Sequence, residues 1–368
     1  MSPSPPATRV VVRAYGVTDT GQRRKNNEDA FIIADLARVS EEQVRDRELT
    51  LDASDHAVLL AVSDGMGGAN AGEVASALVV DSLRKAMQES DGNWDEVTRR
   101  AVERANRDVF QAAADPSHKG MGATLTAVCV HGEHAHVAAV GDSRAYLLRG
   151  GAIRQMTKDQ SFVQYLVELG ALKPEAAESS AIKNVVLQAM GQKADVAVAL
   201  GRLELRRGDR LLLCSDGLSN KLSAEDMREV VERAPSLPAA CWELVEIANG
   251  RGGDDNITVV LAEVTGEAIM MADEQASLTR TFQVLAEYKA QAADLGLPPE
   301  EESYDDDAPL AVKPLVSQAP AQAPAAPSAP APGAALAKGS PAGGVTWLWP
   351  LVAVVTLACV ATLVLAMR

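Results

Sequence analysis

Basic charge is in short supply in this chain. Over 368 residues, 35 Lys and Arg face 50 Asp and Glu, a formal net charge of −15 at pH 7. A nucleic-acid backbone demands clustered cations, so that class of partner is excluded, although one local basic pocket is compatible with the balance. Cysteine is scarce too. Cys129, Cys214, Cys241 and Cys359 show no short paired spacing, which excludes a disulfide framework and points to free thiols in a reducing compartment. His131, His134 and His136 straddle a hairpin turn at Gly132 and Glu133, with no fourth ligand in step to complete a zinc site. The first nine residues are rich in Pro and Ser and carry no continuous apolar stretch. No secretory leader is read there, and the soluble part is expected in the cytoplasm.

At 345–367 lies a strongly apolar stretch, and its 23 consecutive positions carry no Asp, Glu, Lys or Arg. At about 1.5 Å per helical residue it is long enough for a hydrocarbon core of about 30 Å, and Trp347 and Trp349 suit one interface. The expectation is a single-pass C-terminal membrane anchor. Ahead of it, 298–344 is acidic and then dominated by Ala and Pro, a composition that buries too little surface to fold and reads as a tether. Residues 267–297 read as a helical extension, with Met270, Leu278, Phe282 and Leu285 as contacts, and 1–8 as a disordered N-terminus. The remainder, 9–266, holds the folded domain.

Within that domain the hydrophobic period changes repeatedly. Strands are expected at 9–17, 57–62, 123–130, 135–140, 144–148, 196–205, 210–214 and 257–264, and a charged, loop-like insertion at 36–56. Apolar residues at three- and four-residue steps predict helices at 72–89 and across Val97, Ala101, Ala105 and Val109. Short helical pieces follow at 159–170 and 174–177, and further helices near 224–232 and 237–249. Runs of strands with helices in pairs suggest an α+β domain of two packed sheets covered by helices on both outer faces.

Four aspartates close apolar strands and precede residues that permit a sharp turn: Asp64 before Gly65, Asp142 before Ser143, Asp216 before Gly217, and Asp255 before Asn256. Taken singly, each pair could be a mere turn. Taken together, carboxylates at rigid strand ends would repel one another unless divalent cations neutralised them, and hard oxygen donors favour Mg²⁺ or Mn²⁺ over zinc. Upstream, Arg23, Arg24 and Lys25 precede Glu28 and Asp29. An arginine beside cation-bound phosphate is what bidentate oxyanion binding needs.

In the order and spacing of these motifs, together with Gly120 to Leu125 and Leu211 to Leu218, the chain resembles the type 2C metal-dependent protein serine/threonine phosphatases, bacterial branch, over about 9–264. The resemblance implies a four-layer α-β-β-α sandwich, two antiparallel sheets flanked by helices, with a two-cation centre at one end. It implies that Asp64 bridges two Mn²⁺ or Mg²⁺ ions, the Gly65 carbonyl binds one of them, and Asp216 and Asp255 hold the other. Glu28 and Asp29 would act through coordinated waters, Arg24 would grip the substrate phosphate, and Asp142 with Asp216 would form a third metal site. The implied reaction is hydrolysis of phosphoserine and phosphothreonine in proteins by a water held between the ions, without a phosphoenzyme. Phosphorylated proteins, serine/threonine kinases and their substrates are the implied partners.

Two positions depart from the family pattern. Some members carry His after the bridging Asp-Gly where this chain has Met66, and the family usually shows His where Gln160 stands, at the start of a flap over 158–192. A cysteine-dependent phosphatase is a poor alternative, because Cys214 is followed by Ser215, Asp216, Gly217, Leu218, Ser219 and Asn220 and so lacks the Cys-x₅-Arg loop. Two other functions compete: a silent phosphoprotein-binding scaffold, which would show lost carboxylates, and a nucleotide phosphodiesterase, which would show a base-binding signature. Neither feature is seen.

Overall fold

The computed structural model describes residues 9–37, 47–67, 71–178, 180, 182–272, 278–290 and 294. The expected disordered N-terminus, tether and membrane span therefore lie outside the described residues, among which no helix is long and apolar enough to cross a membrane.

The described chain forms two antiparallel sheets flanked by helices. In order, its strands are β1 (Val11–Asp19), β2 (Asp29–Asp35), β3 (Leu49–Asp52), β4 (Val58–Met66), β5 (Gly122–Ala123), β6 (Leu125–His131), β7 (His134–Val140), β8 (Arg144–Arg149), β9 (Ala152–Gln155), β10 (Ala199–Glu204), β11 (Arg210–Cys214), β12 (Ile257–Thr265) and β13 (Phe282–Ala286). One sheet runs β3-β1-β12-β11-β8-β9, and the other β13-β10-β7-β6-β4-β2 with β5 paired to the end of β4. The helices are α1 (Ala71–Gln88), α2 (Trp94–Ala112), α3 (Phe162–Glu168), α4 (Pro174–Glu178), α5 (Asp216–Ser219), α6 (Ala224–Arg233), α7 (Leu237–Gly250) and α8 (Leu278–Thr281).

Strand alternation divides the side chains among three cores. Val58, Leu60 and Val62 of β4 meet Val260 and Ala262 of β12 and Leu211 and Leu213 of β11 between the sheets. The opposite face of β4, Leu59 and Ala61, packs on Ala75, Val79, Leu83, Val102 and Ala105 of α1 and α2. Leu212, Cys214, Val259 and Leu261 face Met227, Val231, Leu244 and Val245 of α6 and α7. A period of two on the strands and of three to four on the helices leaves no other assignment of faces. Asn93 caps α2 by accepting from Asp95 N, and Ser223 with Asp226 forms a capping box on α6.

The C-terminal extension corrects the sequence reading. Where 267–297 was expected to be helical, α8 is a single short turn and Phe282–Ala286 is a strand pairing antiparallel with β10. The edge of β10 offers a ladder that an isolated helix cannot use, and Gly201 leaves room for the Phe282 ring, since a Cβ there would lie 2.4 Å from it. The insertion at 36–56 is likewise not all loop. Leu49–Asp52 pairs with the start of β1, while 38–46 lies outside the described residues.

Candidate metal centre

Every carboxylate of the expected site sits at or beside a strand end at the same end of the two sheets. Asp29 opens β2 and stands opposite Asp64 of β4 in register. Asp142 follows β7, Asp216 follows β11 as the first residue of α5, and Asp255 lies two residues ahead of β12. Asn256 draws the arginine loop onto them. Its Oδ1 accepts from Glu28 N at 2.8 Å, and its Nδ2 donates to the carbonyls of Thr20 and Asn26 at 2.9 Å each. Glu28 O accepts from Gly65 N at 3.1 Å and from Ser76 Oγ at 2.6 Å.

The backbone at the centre is too close for side chains. A Cβ on Gly65 would fall 2.1 Å from Gly72 O, and one on Gly217 would fall 2.0 Å from Asn256 O. The Asp-Gly pairs are therefore dictated by close approach of chain segments as well as by turn chemistry.

The electrostatics are those of crowded like charge. Burial first, then Asp216 and Asp255, lifts the Asp29 carboxyl to about 7, against the pull of hydrogen bonds from Thr258 Oγ1 at 2.6 Å and Ser215 Oγ at 2.8 Å. Burial, then Asp29, Asp216, Asp142 and Asp255, pushes Asp64 well above the usual range. Asp142 rises to about 8 by burial and the charges of Asp216 and Asp159, and Asp216 to about 6 by burial and Asp255. Burial also raises Glu28, and Arg24 opposes it. The mutual influence spans the whole predicted set, so the structure brings Arg24, Glu28, Asp29, Asp64, Asp142, Asp216 and Asp255 into one neighbourhood.

Two observations test the set as a cation site. Asp29 Oδ1 and Asp216 Oδ1 are buried without any hydrogen-bond partner among the described residues, although buried carboxylate oxygens are ordinarily satisfied. The surrounding donor set is all oxygen, which suits Mg²⁺ or Mn²⁺. Among the described residues no three acidic, His or Cys side chains close on one point as they stand. Asp216 Oδ2 is instead held by Asn220 Nδ2 and Asp255 Oδ2 by Arg24, whose guanidinium donates to it at 2.8 Å. The residues fit divalent cations.

Several contributors were missed by sequence reasoning. Ser215 and Thr258 orient Asp29, Asn220 Nδ2 donates to Asp216 Oδ2 at 2.9 Å, and Thr124 Oγ1 accepts from Asp64 N at 2.9 Å while sharing a hydrogen bond with Ser143. Ser215, Thr258, Thr124 and Ser143 each lie within two places of a strand end, the one signal that could have flagged them, whereas Asn220 sits past α5 and carries no such signal. Met66 contacts Gln192 Nε2 at 3.6 Å. The flap rises beside the site as α3 and α4 and is pinned at its base by Ser161 bridging Val186 and Ala123 bridging Met190. A groove of about 450 Å³ leads from Asp142 and Asp216 between the flap at Ser161 and Lys183 and the turn at Asn220 and Leu222.

His136 Nδ1 contacts Asp95 Oδ1 at 2.5 Å and the His131 ring lies tilted by 30° against Trp94 with centroids 5.1 Å apart, so both brace the start of α2. Cys129, Cys214 and Cys241 are free and buried, and burial pushes the Cys214 thiol up to about 12, which leaves no thiolate for catalysis.

The family model described as Protein phosphatase 2C matches residues 37–244. Serine/threonine protein phosphatase PstP of Mycobacterium tuberculosis is 37% identical over 257 residues, 69% of this chain and 45% of PstP, so the match spans less than half of that relative. Protein phosphatase PhpP of Streptococcus pneumoniae is 34% identical over 255 residues, covering 68% of this chain and 97% of PhpP. The crystal structure of the PstP catalytic domain in complex with two manganese ions superposes with a TM-score of 0.58 at 35% identity, covering 70% of this chain and 99% of that one. This chain belongs to the protein phosphatase 2C family.

Proposed function

We propose that the protein is a metal-dependent serine/threonine phosphatase acting on phosphorylated proteins. The observation that carries this reading is the convergence of Asp29, Asp64, Asp142, Asp216 and Asp255 with two orphaned buried carboxylate oxygens beside Arg24. Asp64, the Gly65 carbonyl, Asp216 and Asp255 would hold two Mn²⁺ or Mg²⁺ ions, Asp142 with Asp216 a third, and Glu28 and Asp29 would act through waters. Bound there, the cations supply Lewis acidity toward water and toward the phosphoryl oxygens.

The chain's own residues do the rest. Ser215 and Thr258 hold Asp29 Oδ2, which leaves Oδ1 uncommitted and aimed by a fixed rotamer. Arg24, half exposed and donating to Asp255 Oδ2 at 2.8 Å, would offer its planar fork to a phosphate oxygen if Asp255 held a cation, and would there oppose charge growing on the equatorial oxygens. Met66 has no proton to give, so the departing serine or threonine alkoxide would take its proton from a water held within the site. Phosphate release from a phosphopeptide, measured with Mn²⁺ and after chelation, tests the reading. Release only with the cation supports it, and a folded protein inert in both conditions refutes it.

The same reading places the enzyme at a membrane. The uncharged run at 345–367 would be a single-pass anchor behind the Ala/Pro tether, with the catalytic domain on the cytoplasmic side, opposing serine/threonine kinases there. Fractionation of a chain ending at Leu297 checks this: it should be soluble, and pelleting with membranes would overturn the anchor.

A further inference from the structure

The flap is closed at its base by two side-chain amides. Gln160, only 2% exposed, opens the flap, and Gln188 stands near its far end. Gln160 Nε2 donates to Ala139 O at 3.1 Å, while its Oε1 accepts from Gly141 N at 2.9 Å and from Gln188 Nε2 at 2.9 Å. The backbone repeats the link, with Gln160 N donating to Gly141 O at 2.9 Å and Leu187 N donating to Gln160 O at 2.8 Å. Gln188 is tied to Ala197 in both directions, Nε2 to Ala197 O at 2.9 Å and Ala197 N to Oε1 at 2.8 Å. Backbone N–H groups can be met only by amide oxygens, so Gly141 and Ala197 fix the orientation of both side chains.

We infer that Gln160 and Gln188 are positioning residues, a paired-amide lock that fixes both ends of the flap to the strand end carrying Asp142. Gly141, at the junction, has φ of 100° and directly precedes Asp142, so a shift of Gln160 is passed to that carboxylate through one peptide unit. Flap closure over the groove and the placement of Asp142 become one mechanical unit. An amide is suited to this point in a way that imidazole is not. Its oxygen accepts two hydrogen bonds at once while its nitrogen donates, whereas an imidazole nitrogen has one lone pair and could not serve Gly141 and Gln188 together. The catalytic consequence rests on the phosphatase reading; the mechanical one does not.

Gln160→Leu strips Gly141 N–H of its side-chain acceptor and Gln188 of its partner. Gln188→Leu frees the flap but leaves the bond from Gly141 to Gln160. Hydrogen exchange at Phe162, Leu187 and Met190, whose amides close the flap base, should be roughly two- to twelvefold faster in either variant, the range of one net hydrogen bond. The double variant should exchange faster than wild type by clearly less than the product of the two single effects, because the two side chains share one hydrogen bond. With a phosphopeptide, KM should rise by a similar factor in all three, as the closed flap becomes less populated. The Mn²⁺ concentration for half-maximal rate should rise only where Gln160 is replaced. Unaltered exchange in β7 and β8 shows that the fold is kept, and should Gln160→Leu not fold, Gln188→Leu carries the test by itself. Wild-type exchange at the three amides, or additive effects in the double variant, overturns the lock. An inert wild-type enzyme would sink the phosphatase reading while leaving the exchange result to decide this one.

Discussion

Replacing one of the aspartates proposed to hold a cation should stabilise the metal-free protein while destroying the proposed activity. Asp216 is the clearest case, since its carboxyl is lifted from 3.8 to about 6, by burial first and then by Asp255. A raised acid binds its proton more tightly in the folded than in the unfolded state, so folding carries no penalty below about pH 4. The penalty grows as pH rises through the unfolded and then the folded value, and is complete above about 7. A rise of about two, at about 1.4 kcal/mol each, sets an upper figure of about 3 kcal/mol, and water reaching the half-buried carboxylate reduces it toward about 1 kcal/mol. Asp216→Asn removes that charge and retains an oxygen for Asn220. In chelator-treated protein at pH 8 the variant should therefore melt about 2 to 10 °C above wild type, with most of the difference gone at pH 4.5. Saturating Mn²⁺ should invert the order, because wild type gains about 2.7 kcal/mol at a hundredfold excess over Kd and the variant gains little. Thermal unfolding at the two pH values, with and without Mn²⁺, reads all four states. A variant that melts below metal-free wild type at pH 8, or whose gain is the same at both pH values, refutes the reasoning.

Three other expectations follow from named contacts. Asp64→Asn should lower phosphopeptide turnover by at least about a hundredfold with the fold intact by circular dichroism, and an unchanged rate would remove Asp64 from the centre. Arg149→Met should cost about 3 to 5 kcal/mol in urea unfolding, because Asp209, fully buried and bonded to Arg149 by two contacts of 2.6 Å, would be left uncompensated; a loss under 1 kcal/mol would contradict this. Gly217→Ala should lower stability and Mn²⁺ affinity together, since its Cβ would sit 2.0 Å from Asn256 O and displace the segment holding Asp255, and wild-type affinity in that variant would show the close approach to be relaxed.

Much of this molecule is legible in its sequence. Asp64, Asp142 and Asp216 announce themselves because each lies at the end of an apolar strand beside a turn, whereas Asp255, expected to close a strand as well, lies in the turn just ahead of β12, and strand ends are where a sandwich presents rigid carboxylates. β2 was not legible, because Ala30 to Ala34 is a short apolar run that follows a charged loop, and its strand character comes from pairing with β4. β13 was misread because Leu278, Phe282 and Leu285 share helical spacing, while the open edge of β10 that recruits them is a long-range feature. Ser215, Thr258 and Asn256 acquire roles by reaching across from other strands, and Gln160 by meeting Gln188, 28 residues away. Pairings of that kind leave no local periodicity to read.

The central claim is that these separated carboxylates together hold divalent cations. Titration calorimetry of the folded, chelator-treated protein with MnCl₂ tests it most directly. Saturable uptake of at least two ions per chain is expected, reduced in Asp216→Asn and in Asp64→Asn. A folded protein that takes up no Mn²⁺ or Mg²⁺ would contradict it.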